Sequence, residues 1–499
     1  MTNLVNRLLT AAAAAPERPA LRLGEDVTSY AQLEDAARRV ATLLTEAGFE
    51  PGDRACVMLP NVPEFAQAYY GILLAGGAVV PTNPLYRERE IVHYVGDSGA
   101  SVLLAWHEVS DAPAAAAATG ARLITVDPST WPTLLAGNEP YRGTADRDDR
   151  DTAVVLYTSG TTGRPKGAEL THANLRRNAD VVANDLLGLS VDDVLMGCLP
   201  LYHSFGQTAA LNAAMFVGAS LSLLPRFNSA QALQIMQRDR VTVFLGVPTM
   251  YSALLEVPDR DGYDLGSLRA CVSGGAALPV EVLAAFERAF GCVILEGYGL
   301  SETSPVACFN RLDARRPGTV GLPIDGVEIR LLADDWSDVP AGQPGEIAIR
   351  GHNVMKGYWN LPAATAEVLS ADGWFRTGDI GALSDDGFLS IVDRKKSLII
   401  RGGLNIYPRE IEEVLYEHPD VVEAAVIGVR HATLGEEVGA AVVIRAGATA
   451  TEDEVRAYVK ERVAPYKYPR HVWFVAELPK TATGKIQRKD VLIPDGLES

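Results

Sequence analysis

The chain has 499 residues, of which 47% are hydrophobic, and this length predicts a large core and more than one domain. The formal net charge of −18 excludes nucleic acid as a main partner, because contacts to many phosphates need a basic surface. A single nucleotide can still bind wherever a few lysines and arginines lie close together.

The first residues predict an ordinary helix and not a signal peptide. Apolar residues recur at helical spacing between positions 4 and 9, and Pro16 ends the segment. No uninterrupted run of about 18 apolar residues follows, so the sequence predicts no transmembrane segment. The five cysteines are scattered, and none forms a C-x-x-C pair. This usage favours a reduced, cytoplasmic protein with neither a disulfide framework nor a zinc site.

Short apolar runs alternate with helical patterns over the first 300 residues. The runs are RACVMLP, ASVLLAW, ARLITV, TAVVLYTSG, VTVFLGVP, RACVSGG and CVILEGYG. This alternation predicts an α/β architecture with largely parallel sheets. Because ligands gather where such strands end, we expect site residues after Tyr157, Gly246, Ser273 and Glu296.

The segment Leu156–His172, LYTSGTTGRPKGAELTH, predicts a loop that holds a phosphate group. Its glycines allow backbone N–H groups to turn toward an anion, its hydroxyls add donors, and Lys166 supplies a positive charge. We expect a helix from about Thr171, whose dipole favours the anion if its N-terminus faces it. The spacing of glycines and lysine does not fit the G-x-x-x-x-G-K-[ST] loop, which disfavours a general ATPase or kinase.

The texture of the sequence changes after about residue 325, where short strands separated by Gly, Pro and Asp predict a β-rich subdomain. A smaller α/β unit follows Asp393 and Arg394, and its second helix begins with a capping box formed by Thr451 and Glu454. The sequence therefore predicts a large N-terminal domain over residues 1–393, built of α/β subdomains and a β-rich subdomain. A small, mobile C-terminal α+β domain over residues 394–499 completes the prediction.

Six motifs follow one another from the middle of the chain nearly to its end. They are YTSGTTGRPKG (157–167), LPLYHSFGQT (199–208), EGYGLSET (296–303), WFRTGDIG (374–381), IVDRKKSLIIRGGLNIYPREIE (391–412) and LPKTATGKIQR (478–488). In this order they resemble the signature segments of the adenylate-forming (ANL) superfamily, which includes acyl-CoA synthetases, adenylation domains of peptide synthetases and beetle luciferases. The segment PLYHSFGQT further resembles fatty acyl-CoA synthetases.

The resemblance implies a reaction in two steps. A carboxylate attacks the α-phosphate of ATP and gives an acyl-adenylate and pyrophosphate, and the thiol of CoA then displaces AMP to form a thioester. It also implies Mg²⁺, held by Glu302 with Thr158 beside it. The residues implied to bind ATP or AMP are Thr158, Ser159, Gly160, Thr161, Thr162, Lys166, Gly275, Gly297, Tyr298, Gly299, Ser301, Asp379 and Arg394.

Individual roles also follow from the resemblance. Lys485 is implied to be the main catalytic residue, bridging the substrate carboxylate and the α-phosphate where negative charge develops. Tyr298 is implied to stack on adenine, and Asp379 to accept hydrogen bonds from both ribose hydroxyls. Glu302 acts through the metal, and His203 forms a gate or wall of the acyl site.

A movement of the small domain is implied because Lys485 and the incoming thiol need the same space. A hinge at Asp393 would exchange one face of the small domain for another between the two steps. The loop Arg401–Asn405 would then approach the thiol, and its glycines Gly402 and Gly403 leave a narrow passage for the pantetheine arm.

The acyl pocket is predicted to be apolar. Its predicted lining residues are His203, Val247, Gly274 and Gly299. The segments around them contain no Arg or Lys to pair a second carboxylate and no Asp to hold an α-amino group. This composition favours a plain aliphatic acid over malonate or an amino acid. Two alternatives stay open at this point: an acyl-AMP ligase that loads a phosphopantetheinyl carrier protein, and a catalytically inactive nucleotide-binding regulator.

Overall fold

The computed structural model describes residues 2–158, 164–340 and 342–497. The α-helices are α1 (Asn6–Ala14), α2 (Tyr30–Glu46), α3 (Pro63–Leu74), α4 (Glu88–Ser98), α5 (Ala112–Thr119), α6 (Trp131–Ala136), α7 (His172–Asp180), α8 (Ala213–Val217), α9 (Ser229–Arg238), α10 (Pro248–Leu255), α11 (Val280–Phe290), α12 (Pro362–Val368), α13 (Pro408–Tyr416) and α14 (Glu452–Lys460). Two π-helical segments, Val181–Leu186 and Phe205–Asn212, follow α7 and precede α8.

The strands alternate with these helices over the first 300 residues, as the sequence predicts. They are β1 (Pro19–Leu23), β2 (Asp26–Ser29), β3 (Arg54–Met58), β4 (Ala78–Pro81), β5 (Val102–Trp106), β6 (Arg122–Val126), β7 (Thr152–Thr158), β8 (Lys166–Thr171), β9 (Val194–Gly197), β10 (Ser220–Leu223), β11 (Val243–Gly246), β12 (Ala270–Ser273), β13 (Ile294–Gly299), β14 (Val306–Phe309), β15 (Leu322–Pro323), β16 (Val327–Leu332), β17 (Gly345–Gly351), β18 (Gly357–Tyr358), β19 (Phe375–Leu383), β20 (Leu389–Arg394), β21 (Ile399–Arg401), β22 (Leu404–Ile406), β23 (Val421–His431), β24 (Gly435–Ile444) and β25 (His471–Phe474).

Two large sheets with parallel centres form the body of the molecule. One has the order β15-β14-β13-β12-β11-β9-β10-β1-β2, and it is parallel from β13 to β1. The other has the order β18-β8-β7-β4-β3-β5-β6, and it is parallel from β7 to β6. Buried apolar strands of this kind need cover on both faces, and one hydrophobic core extends across both sheets and their helices. The predicted α/β architecture is confirmed.

The later part of the chain forms two smaller sheets. Strands β16, β17, β19 and β20 make an antiparallel sheet, which is the predicted β-rich subdomain. Strands β21 to β25 make another sheet, against which α13 and α14 pack with hydrophobic clusters of their own. This last unit is the predicted small α+β domain, and the predicted boundary at 393/394 stays a prediction.

Local signals in the sequence account for several helix boundaries. The Ser29 side chain accepts from the Gln32 backbone N–H in a capping box at the start of α2, and the predicted capping box of Thr451 and Glu454 opens α14. The N-terminal segment is helical from Asn6, as predicted, and its Leu8 is buried. No helix within the described residues is long and apolar enough to cross a bilayer.

The predicted helix after Thr171 is present, but its N-terminus does not face the phosphate loop. The helix α7 begins after Thr171, as expected, but Lys166–Thr171 first forms β8, which runs antiparallel to β7. Thr158 pairs with Lys166 at the loop end of this hairpin, whereas Thr171 pairs with Thr152 at the opposite, open end. Six residues of strand span roughly 20 Å, so the N-terminus of α7 lies too far from the loop to act on an anion there. The alternation of "AELT" is short, and this is why the strand escaped the sequence prediction.

Candidate active site

Three residues predicted to bind the nucleoside form one cluster where β13 meets the β-rich subdomain. The Tyr298 hydroxyl donates to Asp379 Oδ2 at 2.7 Å. Asp379 is 6% exposed, and its register partner Arg394 on β20 places Nε 3.4 Å from Oδ1. Desolvation raises the pKa of the Tyr298 phenol, so the phenol stays a neutral donor and the carboxylate stays the acceptor.

Glu302 lies in a short 3₁₀ turn directly after β13, and its side chain is buried. Its Oε1 accepts hydrogen bonds from Thr158 Oγ1 at 3.2 Å and from the Tyr358 hydroxyl at 3.0 Å. Burial raises the pKa of this carboxyl, so a nearby cation would favour its ionised form. Mg²⁺ at nucleotide sites usually takes one or two protein oxygens and completes its shell with water and phosphate oxygens. The buried carboxylate of Glu302 beside the Thr158 hydroxyl fits this type of coordination.

The phosphate loop is described at its two ends. Thr158 ends β7, and Lys166 begins β8 opposite it. The predicted residues Ser159, Gly160, Thr161 and Thr162 lie outside the described residues. Ser301, also predicted at this site, has its Oγ 3.5 Å from Ser204 Oγ, which joins the turn after β13 to the loop that carries His203.

Tyr358 is a site residue that the sequence reasoning missed. Strand β18 pairs with β8 and places Tyr358 opposite Ala168. Its hydroxyl donates to Glu302, and the Lys166 ammonium lies 5.1 Å from the centre of its ring. A lone tyrosine after a glycine carries no sequence signal for this position, because only the pairing of β18 with β8 brings it to Glu302.

We expect Tyr358→Phe to weaken the use of MgATP by about tenfold, since a hydrogen bond to a charged group contributes about 1.5–3 kcal/mol. The loss should fall on KM for MgATP and should shrink as the Mg²⁺ concentration rises. Thermal unfolding of the variant serves as its control. An unchanged KM across a magnesium titration would show that the Tyr358 hydroxyl has no influence on this carboxylate.

Lys485 reaches the large domain from the last segment of the small one. Its segment is a tight turn in which Lys485 N donates to Thr481 Oγ1 at 3.1 Å and Gly484 N donates to Thr481 O at 2.9 Å. Across the interface, Thr249 Oγ1 on α10 donates to Gly484 O at 2.9 Å. The structure therefore places the Lys485 segment directly against the large domain.

The surroundings of Lys485 make its charge easy to lose. Desolvation and the neighbouring Arg394 and Arg488 lower its pKa to about 8, while Asp379 and Asp393 act in the opposite direction. Desolvation, together with the charge of Lys485, lowers the pKa of His203 to about 4. His203 is thus a neutral imidazole at physiological pH, which agrees with its predicted place as a wall or gate.

The pKa of Lys485 predicts how adenylation depends on pH. The lysine must be an ammonium to offset the charge of the reacting groups, so its contribution is present below about pH 8 and is lost as pH rises through that value. We expect kcat/KM for ATP, measured by pyrophosphate exchange, to fall about tenfold per pH unit above 8. Lys485→Arg, which stays protonated, should remove that alkaline decline. An identical alkaline limb in the arginine variant would assign the titration to another group.

Among the residues predicted to line the acyl pocket, Gly274 packs near Phe205 and Val247 packs near the turn that carries Lys485. A methyl group added at Gly274 would meet the Phe205 ring at 3.1 Å, and one added at Gly484 would meet Val247 at 3.2 Å. The Gly275 backbone is left-handed, with φ +79°, which a glycine tolerates best. Gly274, Gly275 and Val247 therefore lie between the Phe205 ring and the turn that carries Lys485.

Gly297 and Gly299 are required by packing within the protein. Each lies in β13 opposite β14, where a Cβ at Gly297 would meet the Phe309 ring at 2.7 Å and one at Gly299 would overlap the Pro305 carbonyl oxygen. Tyr298 lies between them, so the close pairing of β13 with β14 fixes where this ring stands. The predicted room for a ligand beside these glycines stays a prediction.

Asp393, the predicted hinge, is buried and held by three donors. Its carboxylate accepts from Arg488 Nη1 at 2.8 Å, from Arg409 N at 3.0 Å and from Arg394 N at 2.7 Å. Arg488 also reaches Glu412 on α13 at 2.8 Å through Nε. Sequence reasoning missed Arg488 and Arg409, although Arg488 follows Lys485 by only three residues.

The two glycines that are predicted to meet the thiol lie on the solvent-exposed surface of the small domain. Gly402 and Gly403 form the turn between β21 and β22, with φ values of +57° and +83°, and both are exposed. Gly402 N donates to Leu434 O at 2.8 Å within the small domain. In this arrangement Lys485 faces the large domain while the hairpin faces solvent.

Comparison with known proteins decides the family. Residues 8–359 match the AMP-binding enzyme family, and residues 410–485 match the AMP-binding enzyme C-terminal domain. The chain belongs to the AMP-binding enzyme family. The two matches cover the sheets that carry Tyr298 and Glu302 and the segment that ends at Lys485.

Relatives of this AMP-binding enzyme resemble it over nearly its whole length. A long-chain-fatty-acid–CoA ligase of Bacillus subtilis (strain 168) is 38% identical over 525 residues, covering 97% of this chain and 93% of the relative. A feruloyl-CoA synthase of Amycolatopsis sp is 38% identical over 481 residues, covering 96% of each. The crystal structure of the anthranilate CoA ligase AuaEII in complex with anthranoyl-AMP superposes with a TM-score of 0.93 at 28% identity, covering 98% of this chain and 96% of that one.

This AMP-binding enzyme is an acid–thiol ligase that forms AMP and acyl-CoA. It uses ATP, Mg²⁺, CoA and a small carboxylic acid. The chemistry fits the site, because a carboxylate has no good leaving group and AMP provides one. These matches favour CoA over a carrier protein, and a ligase over an inactive regulator or a general ATPase.

Proposed function

We propose that this enzyme activates a fatty, aliphatic acid to its acyl-adenylate and transfers the acyl group to CoA. The observation that carries the proposal is the apolar character of the segments around His203, Phe205 and Gly274. Residues 209–215 follow Phe205 in the π-helical segment and α8, and they are mainly buried Ala, Leu and Met, so the protein interior beside Phe205 is apolar. An apolar wall of this kind gains most from an alkyl chain, at about 0.8 kcal/mol per buried methylene.

In the proposed first step, the described residues hold and orient ATP. Asp379 accepts hydrogen bonds from the ribose hydroxyls, and Tyr298 packs against adenine. Arg394 adds a positive charge beside the nucleotide. Thr158 and Lys166 would contact the outer phosphates, together with Ser159, Gly160, Thr161 and Thr162 as the family resemblance implies. Glu302 with Thr158 would hold Mg²⁺, which supplies charge neutralisation when bound. These roles are supported by the clustering of the side chains and by the match to the family.

Lys485 is proposed to complete this first step. Its ammonium would lie between the substrate carboxylate and the α-phosphate, where an oxygen–phosphorus bond forms and pyrophosphate leaves. Stabilisation of charge that develops in the transition state is usually the largest single contribution to catalysis. The contact of Thr249 with Gly484 and the electrostatic effect of Lys485 on His203 support this placement.

The second step is proposed to need another orientation of residues 394–499. Lys485 occupies the cleft in the present arrangement, and the Gly402–Gly403 turn lies in solvent. Rotation at Asp393 would withdraw Lys485 and bring that turn to the acyl-adenylate, where the CoA thiolate attacks the carbonyl carbon and AMP leaves. The three donors on Asp393 all come from residues 394–499, so its carboxylate is tied to the domain that is proposed to rotate.

A hydroxylated aromatic acid is the second candidate substrate. Among the described residues, Gln207 Oε1 and Thr208 Oγ1 are buried without a hydrogen-bond partner. A buried polar atom without a partner costs free energy, and a hydroxyl on the substrate would relieve that cost. The feruloyl-CoA synthase similarity points in the same direction for a relative of this chain.

A comparison of kcat/KM between acids distinguishes the two candidate substrate classes. Purified enzyme is incubated with ATP, Mg²⁺, CoA and one acid at a time, taken from straight-chain acids of graded length and from ferulate and coumarate. The CoA thioesters are identified by mass spectrometry, and their initial rates of formation give kcat/KM. We expect kcat/KM to rise with chain length until the pocket is full. Higher kcat/KM for the hydroxycinnamates would transfer the proposal to the second candidate.

Gln207→Leu provides the matched variant for this test. Leucine keeps the approximate volume and removes the amide, so the use of fatty acids should be maintained. If Gln207 binds a substrate hydroxyl, the variant should instead lose about tenfold or more in kcat/KM for that acid. Thr208→Val, which removes only the hydroxyl, checks the neighbouring atom in the same way.

A further inference from the structure

The C-terminal turn of α4 contacts two strands that reach the candidate metal site. Asp97 Oδ2 accepts from the Tyr157 hydroxyl at 2.5 Å, and the Asp97 carbonyl accepts from Trp359 Nε1 at 3.2 Å. Tyr157 directly precedes Thr158 in β7. Trp359 directly follows Tyr358, the last residue of β18. Asp97 is therefore hydrogen-bonded to the chain neighbour of each hydroxyl that donates to the buried carboxylate of the site.

The face of the sheet next to α4 carries Tyr157 and Trp359, and both side chains pack against the hydrophobic cluster there. Between them lies Gly167 in β8, which pairs with Tyr157 and accepts a backbone hydrogen bond from Trp359 at 2.7 Å. A Cβ at Gly167 would crowd the Tyr157 ring at 3.2 Å. The other face carries Thr158 and Tyr358, whose hydroxyls donate to the same carboxylate.

Strand β18 is short and lies at the edge of its sheet, with β8 as its neighbour. It pairs through two residues, so contacts outside the strand ladder must help to fix it. The α4 turn that provides them is itself held by Arg54, which donates to Ser98 O at 2.9 Å and to Gly99 O at 2.8 Å. The same guanidinium lies 5.3 Å from the centre of the Trp359 ring. The last turn of α4 is thus a fixed support for β18.

We propose that Asp97 is a positioning residue of the Mg²⁺ site, which holds β7 and β18 at the separation that lets both hydroxyls reach Glu302. The inference rests on the proposed role of Glu302 as the ligand of Mg²⁺. The two donors come from strands that are not neighbours, since β8 lies between them. Their spacing therefore depends on what ties β7 to β18 on the α4 face, and Asp97 contacts both.

Two variants break the same hydrogen bond from its two ends. Asp97→Ala removes the acceptor and Tyr157→Phe removes the donor, and the exposure of Asp97 on its helix makes alanine compatible with the fold. We expect each variant to weaken the binding of MgATP, measured by isothermal titration calorimetry, about three- to tenfold. The double variant should lose no more than either single one. Losses that add together would overturn the role of this hydrogen bond.

The dependence on Mg²⁺ separates positioning of the metal site from a general loss of structure. The weaker binding in Asp97→Ala should recover in part as free Mg²⁺ rises, and Asp97→Asn, which keeps an acceptor oxygen, should stay within about twofold of the parent enzyme. Trp359→Phe removes the indole N–H and should give the same magnesium-dependent loss through Tyr358. A loss that is equal at every Mg²⁺ concentration would contradict an action through the metal site.

Asp35→Ala is the matched control. Asp35 is also an exposed aspartate on a helix, and its Oδ2 accepts from Arg39 Nε at 2.7 Å within α2. Its removal should change the affinity for MgATP by less than about twofold. Equal losses in Asp35→Ala and Asp97→Ala would show that Asp97 has no specific role.

Calorimetry with ATP and Mg²⁺ needs no acyl substrate, so failure of the fatty-acid proposal leaves its outcome readable. Glu302→Gln, measured in the same way, separates the remaining possibilities. If it weakens magnesium-dependent binding and Asp97→Ala does not, the positioning role fails while the Mg²⁺ site stands. If Glu302→Gln leaves that binding unchanged, the assignment of the metal ligand fails and the role of Asp97 fails with it.

Discussion

Lys485→Ala should lower the rate of acyl-adenylate formation by about 10²–10³-fold, because a positioned donor at developing negative charge is worth that much in comparable sites. The desolvated surroundings of Lys485 strengthen the expectation, since electrostatic interactions there are less screened than at the surface. Pyrophosphate exchange into ATP, in the presence of the acid, measures this step alone.

The second half-reaction separates this role from a general loss of structure. Thiolysis of supplied acyl-AMP by CoA should persist in Lys485→Ala, because the proposed rotation removes this residue before the thiol enters. Lys489→Ala, an exposed lysine four residues later, should leave both half-reactions within about twofold of the parent enzyme. Equal loss of both half-reactions in Lys485→Ala would count against a rotating small domain.

Glu302→Gln should have the second-largest effect, with opposite consequences for activity and stability. Removing the carboxylate of the proposed Mg²⁺ site should slow adenylation by at least about 10–100-fold. Folding should not suffer, because burial raises the pKa of Glu302. When burial raises the pKa of a carboxyl, its ionisation lowers the free energy of unfolding at pH values above its unfolded pKa. Glutamine does not ionise, and its amide oxygen can accept the same two hydrogen bonds.

The measurements for Glu302→Gln are pyrophosphate exchange across a Mg²⁺ titration and the midpoint of thermal unfolding. We expect a slower exchange that excess Mg²⁺ rescues only in part, together with an unchanged or raised midpoint. Glu281→Gln on α11, an exposed carboxylate, is the control for loss of one negative charge. A lower midpoint that parallels the loss of activity would show Glu302 to be structural.

Much of the site could be predicted because its residues follow strand ends. The apolar runs that end at Gly246, Ser273 and Gly299 are neighbouring parallel strands, so their carboxyl ends lie at one edge of one sheet. Thr158 ends β7 in the other large sheet. The family resemblance added Asp379 and Lys485, whose positions far along the chain no local pattern could have connected. Both lie at the cleft because the β-rich subdomain and the small domain pack there.

The missed residues share a physical cause. Tyr358 reaches Glu302 only through the antiparallel pairing of β18 with β8, and Arg488 reaches Asp393 across 95 positions of sequence. Pairings of such long range leave no periodicity or spacing to read. The separation of the α7 N-terminus from the phosphate loop has the same origin, because the direction of β8 depends on its pairing with β7 and not on its own six residues.

The hairpin of β7 and β8 also limits how this protein can vary. Successive side chains of a strand point to opposite faces, so a slip of one position between β7 and β8 would turn Lys166 away from Tyr358 and Glu302. Insertions and deletions between Thr158 and Lys166 are therefore tolerable only if the opposition of those two residues is kept. Natural variants of this chain should therefore keep the number of residues between Thr158 and Lys166.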